Sequence, residues 1–359
     1  MMDKERLQKY IGTENLTVIE AMRKIDLNGK GILYIVDSDG RLSGSLTDGD
    51  IRRWLIKTGD LSETVEQMAF RNTKSLPVTE IQNNVSFMKK EQIRSVPIID
   101  EEHRIVDIRF NYEGIGDYKK GSGILASVPV IIMAGGKGTR LYPYTKILPK
   151  PLIPIGDVPI LERIMERFYH YGVKDFYLTV NYKKEMIKSY FADQKTPYSI
   201  HYAEEDEPLG TAGSIRLIED TFSVPVIVTN CDILIEEDFE KVIEHHYKFG
   251  NDMTIISSLK NITIPYGVLH TKEEGIITSM EEKPQLSYFV NTGVYVVNPE
   301  FLEWIPKGRV FHMTDLAEKM ICEGKSVGMY PISENSFLDM GEFEEMKKME
   351  DRISNGYVR

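Results

Sequence analysis

At 359 residues the chain is about twice the length of a typical domain, which predicts two domains, each with a core of its own. Its composition, 42% hydrophobic and 28% charged, is that of a folded globular protein, and its net charge of −11 argues against nucleic acid or an anionic membrane as partner, since neutralising a row of phosphates takes a basic face. Two cysteines, Cys231 and Cys322, and seven histidines form neither a disulfide framework nor a zinc spacing. With no apolar run near the ~20 residues of a membrane span and no apolar leader after MMDKERLQKY, a cytoplasmic protein is expected.

The front of the chain repeats. Residues 33–42 read LYIVDSDGRL and residues 96–105 read VPIIDEEHRI: an apolar strand, an Asp (Asp37, Asp100), a turn and an Arg (Arg41, Arg104). A helical stretch precedes each strand and apolar residues follow each turn, so each copy predicts a small α+β unit stacked on its twin. The two copies resemble a CBS-domain pair over roughly residues 8–112. Leu46-Thr47-Asp48-Gly49-Asp50-Ile51-Arg52-Arg53 resembles that family's ribose-contacting strand-to-helix end, which implies an adenine nucleotide at Thr47, Asp48 and Asp50. The second copy has Ile108-Arg109-Phe110 at the matching place, without Thr-Asp-x-Asp, so at most one such site is implied. Assembly into a homo-oligomer is the other expected role. EGIGDYKKGSGILAS at 113–127 is rich in Gly, Lys and Ser without an apolar period and reads as a linker. The expected organisation is a CBS pair at 1–115, a linker at 116–127 and a catalytic domain at 128–359.

From Pro129 onward, apolar β-rich runs (129–134, 176–180, 224–229, 253–258) alternate with amphipathic helical ones (160–171, 183–191, 211–219, 239–249). The alternation predicts an α/β fold with a mainly parallel, Rossmann-like sheet sandwiched by helices. Ligands of such sheets bind beyond the carboxyl ends of the strands.

The first of these strands runs through Ala134 into Gly135-Gly136-Lys137-Gly138-Thr139-Arg140-Leu141-Tyr142-Pro143, followed by Pro149-Lys150-Pro151-Leu152. Glycines let backbone N–H groups approach an anion, and Arg140 and Lys150 add positive charge, so the ligand is a polyphosphate. The segment matches neither a P-loop nor the dinucleotide fingerprint. G-G-x-G-T-R-L-x-P with a following P-K-P resembles the signature of the sugar-1-phosphate nucleotidylyltransferases, and the resemblance, GT-A-like fold included, spans residues 129–345. It implies nucleotide contacts at Ala134, Gly135, Gly136, Gly138 and Thr139, and catalytic roles for Arg140, Lys150 and Asp232.

Asn230-Cys231-Asp232 ends another strand, and a polyphosphate loop beside a carboxylate calls for a hard cation such as Mg²⁺. The resemblance makes Asp232 a Mg²⁺ ligand, with Asp339 of Phe337-Leu338-Asp339-Met340-Gly341 as the second. Glu342 and Phe343 stand where the family has Thr and Pro. Tyr266-Gly267-Val268, Glu281-Glu282-Lys283-Pro284 and Val290-Asn291-Thr292-Gly293 resemble the family's sugar side, implying sugar-phosphate contacts at Gly267, Glu282, Lys283, Asn291 and Thr292. Gly210, Thr211 and Ala212 of Leu209–Ser214 match the loop against base and ribose. Glu205 precedes it, and a carboxylate accepts the adjacent N1–H and N2–H donors of guanine, whereas uracil and thymine offer one N–H between two carbonyls. GTP is therefore the expected nucleotide.

The implied reaction joins GTP to a sugar 1-phosphate and releases pyrophosphate. Arg140 is expected on the leaving pyrophosphate, Lys150 on the α-phosphate and Lys283 on the sugar phosphate. The fused CBS pair resembles the architecture of glucosamine-1-phosphate guanylyltransferases of bacterial nonulosonic acid pathways, with mannose 1-phosphate as the other candidate sugar. UTP or dTTP with glucose 1-phosphate is the alternative substrate pair. A non-catalytic nucleotide-sugar sensor is the alternative of another class, and the presence of Arg140, Lys150 and Asp232 counts against it.

Overall fold

The structure, a computed structural model, describes residues 3–111 and 123–354, so most of the expected linker lies outside the described residues. The chain divides into two compact units. The front unit takes Met1–Gly114 with Ser258–Val290 and Pro331–Asn335; the second takes Ile115–Ser257, Asn291–Tyr330 and Ser336–Arg359. Among the described residues, no helix is long and apolar enough to cross a membrane.

In the front unit the repeat is seen down to its turns. Ile11–Thr13 runs parallel to Ile32–Val36, which pairs antiparallel with Leu42–Thr47. Leu76–Pro77, Ser95–Ile99 and Ile105–Phe110 repeat the pattern, with the register shift at the same place. Asp37 accepts the N–H of Asp39 and Arg41, both at 2.9 Å, and Asp100 accepts those of Glu102 and Arg104 at 3.0 and 2.8 Å. Each loop therefore has its donors satisfied by one short carboxylate, which is why Asp recurs there. Apolar residues Val18, Ile25, Leu33, Leu46, Ile51 and Leu55 form the first copy's core, which also takes in Leu259 and Phe289. Tyr34, buried between the copies among Leu7, Tyr10, Ile105 and Ile108, bonds Ser95 Oγ at 2.7 Å through its hydroxyl. The helix Val18–Asn28 starts on a Thr17–Glu20 capping box and stops at Gly29, φ +62°. This unit also holds a two-stranded ribbon, Gly267–Thr271 against Ile277–Glu282.

The second unit is mixed α/β around a seven-stranded sheet in the order Ser199–Glu204, Asp175–Val180, Val130–Met133, Val226–Asn230, Gln285–Val297, Met253–Thr263, Val327–Ile332, the last three strands contributing residues 291–297, 253–257 and 327–330 to this unit and the rest to the front unit. The first four are parallel, and Val226–Asn230 pairs antiparallel with Gln285–Val297. Both faces are covered. Ile131, Met133, Val226 and Val228 pack with Leu316 and Met320 of the helix Met313–Cys322, while Val130, Ile132 and Ile227, which point the other way, are equally buried. Such two-sided burial explains why these strands read as continuous apolar runs.

The helices Ile160–His170, Lys184–Ala192 and Phe239–Lys248 lie where expected. The expected helix at 211–219 does not form as one piece: a single turn, Gly210–Gly213, gives way to a 3-10 turn, Ser214–Leu217. Ala212 and Gly213 donate their N–H groups to Phe311 O at 2.9 and 3.1 Å. A Cβ on Gly213 would stand 2.5 Å from Arg309 O. Close packing on a neighbouring backbone has overridden helical propensity.

Candidate active site

Strand register creates the site. Met133 lies opposite Thr179 on one side and Asn230 on the other, and Val180 lies opposite Glu204. The segments that continue these strands, beginning at Ala134, Asn181, Glu205 and Cys231, therefore leave from one rim. A cavity of about 390 Å³ opens there, lined by Gly135, Gly136, Gly138, Thr139, Arg140, Lys150, Glu205, Gly210, Thr211, Asn230, Asp232 and Gly341 among others.

Ala134 is fully buried and its N–H donates to Thr179 O at 2.8 Å, which fixes the direction of the loop that follows. Gly135 is demanded by space, because a Cβ there would lie 2.5 Å from Glu205 Oε1. Gly138 has φ +63°, and its Cβ would meet Thr145 Cγ2 at 2.9 Å. Gly136, Thr139 and Arg140 are exposed.

Lys150 and Asp232 form an ion pair, each only 9% exposed. In so dry a place, removing either partner leaves an uncompensated charge. The pairing of Ile233–Ile235 with Phe337–Asp339 sets Ile233 opposite Asp339, and Met340 N–H donates to Asp232 O at 2.9 Å. Two acids far apart in sequence thus become neighbours. Burial, and then the charge of Asp232, push the Asp339 carboxyl above the usual carboxylate range, against the pull of Lys150 and Arg140. A Cβ on Gly341 would lie 3.1 Å from both Asp339 oxygens and 3.3 Å from an Arg140 guanidinium nitrogen, so both side chains flank that glycine.

Glu205 is 5% exposed. Its Oε2 accepts Leu209 N–H at 3.0 Å and its backbone carbonyl accepts Asn181 Nδ2 at 2.9 Å. Burial raises its carboxyl above the ordinary value. Cys231 is buried and its thiol is pushed up to about 12, by burial first and then by Asp232, so it stays protonated and is no nucleophile.

A second hollow of about 350 Å³ shares Met133, Thr211 and Asn230 with the first and is lined by Asn291, Thr292, His312, Thr314, Phe337 and Asp339 among others. Thr292 spends its hydroxyl on Ile256 O at 2.7 Å, while Asn291 bonds Tyr295 OH at 2.7 Å and Gly293 N–H at 2.8 Å. Thr211 Oγ1 accepts Met313 N–H at 3.1 Å, and Ala212 is turned into the core.

These features coincide with a match of the nucleotidyl transferase profile to residues 129–355. The chain belongs to the nucleotidyl transferase family. A CBS domain profile matches residues 13–57. Among curated relatives, the D-glycero-α-D-manno-heptose 1-phosphate guanylyltransferase of Aneurinibacillus thermoaerophilus is 31% identical over 63% of this chain and 98% of its own length. The UTP–glucose-1-phosphate uridylyltransferase of Synechocystis is 33% identical over 54% of this chain and 55% of its own. The mannose-1-phosphate guanyltransferase of Pichia angusta is 34% identical over 49% of this chain and 50% of its own. The chain thus spans nearly all of the first relative and about half of the other two.

Nucleotidyl transferases of this family work with a divalent cation on a nucleoside triphosphate and a sugar 1-phosphate. Asp232 and Asp339 fit such an ion, because the charge of Asp232 raises the Asp339 carboxyl, and a hard cation taking one or two carboxylates plus phosphate oxygens relieves that repulsion. Among the described residues no group of three or more His, Cys, Asp or Glu is arranged for a metal.

Other expected residues lie in the front unit. Gly267 and Glu282 face each other across the ribbon, Lys283 follows, and all three are exposed. Asp50 accepts the Thr47 N–H and hydroxyl at 2.8 and 2.6 Å and pairs with Arg53, so Thr47 and Asp50 cap the helix Asp48–Thr58. His312 and Thr314 of the second hollow were missed, since Phe-His-Met-Thr has no spacing that marks a site. Asn230 was readable, as it ends the strand Val226–Asn230 that leads to Asp232.

Proposed function

We propose that this nucleotidyl transferase is a sugar-1-phosphate guanylyltransferase. An oxygen of the sugar phosphate attacks the α-phosphorus of GTP; the new P–O bond forms as the bond to the β-phosphate oxygen breaks, and pyrophosphate leaves with the electron pair. The second pKa of a phosphate monoester is about 6, so the attacking oxygen is already ionised at neutral pH and needs no general base. The obstacle is repulsion, about 4 kcal/mol for each pair of unit charges 4 Å apart at an effective dielectric of 20. Positive charge and positioning supply the catalysis. Arg140 serves the leaving pyrophosphate. Lys150 meets the α-phosphate and the incoming phosphate by giving up part of its contact with Asp232. Asp232 and Asp339 would hold Mg²⁺, which would supply charge to neutralise phosphate oxygens.

The observation that carries this reading is the convergence of the glycine loop, Arg140, the Lys150–Asp232 pair and Gly341 on one cavity. GTP is favoured by Glu205 on the wall of that cavity and by the two guanylyltransferase relatives. The Synechocystis uridylyltransferase favours UTP instead. Glucosamine 1-phosphate or mannose 1-phosphate is the proposed sugar; an adenine nucleotide at Thr47–Asp50 and a homo-oligomer are proposed for the front unit.

Pyrophosphate release with each of the four triphosphates and dTTP, against glucosamine, mannose, glucose and heptose 1-phosphates, tests the reading. GTP should exceed UTP at least about tenfold in kcat/KM, which is ~1.4 kcal/mol of discrimination. A preference for UTP or dTTP overturns the guanylyl assignment, and no release with any pair overturns the enzyme.

A further inference from the structure

Asp26 occupies a place where a carboxylate is disfavoured twice. It sits in the last turn of Val18–Asn28, against the negative end of the helix dipole, and its Oδ2 is buried with no hydrogen-bond partner among the described residues. Burial lifts its carboxyl to about 7; the Ser333 hydrogen bond opposes the rise, and the charges of Asp48 and Glu334 add to it. A residue that breaks local rules is kept for what it holds.

Asp26 Oδ1 accepts the Ser333 hydroxyl at 2.8 Å, and its backbone carbonyl accepts Asn335 Nδ2 at 2.6 Å. Arg52 Nε donates to Pro331 O at 2.7 Å, and Lys260 pairs with Glu334 at 2.9 Å. All of these residues belong to the front unit. The void among them is about 20 Å³, room for one water, so the arrangement is a clasp on Pro331–Asn335 and not a ligand pocket.

The chain then passes into the second unit at Ser336 and forms Phe337–Asp339. From Asn335 to Asp339 even an extended chain reaches only ~14 Å, and Ser336 O is already held by Glu236 N–H at 2.8 Å. So short a tether leaves little slack to absorb a shift of the clasped segment.

We propose that Asp26, through Ser333 and Asn335, is a positioning residue for Asp339: the front unit's first helix fixes the lead into the strand that carries the second cation carboxylate. The inference rests on the assignment of Asp339 to the cation. It makes the front unit part of the catalytic apparatus even with no ligand of its own.

The test uses the full chain with Asp26→Ala and the milder Ser333→Ala, Asp26→Asn as the conservative variant that keeps the Oδ1 acceptor, and exposed Leu27→Ala as control. Hydrogen exchange in a peptide covering 336–340 should quicken about tenfold in Asp26→Ala. Mn²⁺ affinity, read by spin resonance with GTP present, should weaken about tenfold, as for loss of a group that orients a ligand. KM for the sugar phosphate should stay within about twofold, since no uniform binding contact is lost. Asp26→Asn and Leu27→Ala should behave as wild type. If Asp26→Ala folds poorly, Ser333→Ala decides the matter by the same readouts. Unchanged exchange at 336–340 while 331–335 loosens overturns the proposal. Asp339→Asn with undiminished Mn²⁺ affinity overturns instead the cation assignment, leaving the exchange result to judge the clasp.

Discussion

The glycine corner and the carboxylate corner of the cavity are built in different ways. Gly135 to Arg140 is one continuous segment after one strand, with Glu205, Thr145 and Lys150 leaving no room for a side chain at Gly135 or Gly138. The carboxylate corner exists only because Ile233–Ile235 pairs with Phe337–Asp339. A corner made from contiguous residues is damaged by local changes, whereas one made by distant pairing is also exposed to whatever displaces either strand.

Lys150 belongs to both corners, standing within reach of Gly138 and paired with Asp232, so the sharpest tests fall there. Lys150→Ala and Asp232→Asn should each cut turnover about a hundredfold or more with the circular dichroism spectrum intact. The double variant should lose much less than the product of the two, since partners in one pair act as a unit. Additive losses in pyrophosphate release would separate the corners functionally. Asp339→Asn should lower turnover about tenfold and raise the Mg²⁺ needed for half-activity; an unchanged Mg²⁺ requirement would leave the carboxylate corner with one member.

Glu205→Gln should reduce the GTP-over-UTP ratio of kcat/KM about tenfold, as a lost charge-assisted hydrogen bond does. The smallest effect concerns Asp26. Its carboxyl rises from 3.8 to about 7 on folding, so between those values the folded chain keeps a proton that the unfolded chain has released. Stability falls as pH rises through that window. The melting temperature of the wild type relative to Asp26→Asn should be lower at pH 8 than at pH 5, and a flat difference would remove Asp26 from the titration.

Much of the fold was legible in the sequence. Strands at 129–134, 176–180 and 224–229 are found to within about two residues, because two-sided burial writes an uninterrupted apolar run. The glycine loop was readable because its chemistry is contiguous. The neighbourhood of Asp232 and Asp339 came only from the family motif, since strand pairing over so long a separation leaves no local trace. The expected helix at 211–219 failed for a related reason: its N–H groups are taken by Phe311 O, a partner that no window of sequence contains. His312 and the grip on Pro331–Asn335 were invisible for the same cause.

Of the two cysteines in the chain, Cys231 is buried with its thiol held protonated, and Cys322 is exposed at the end of the helix Met313–Cys322. Thiol-directed reagents at neutral pH therefore meet a single accessible sulfur. The unmodified protein already carries a unique attachment point for a fluorophore or spin label, and catalysis should survive alkylation there.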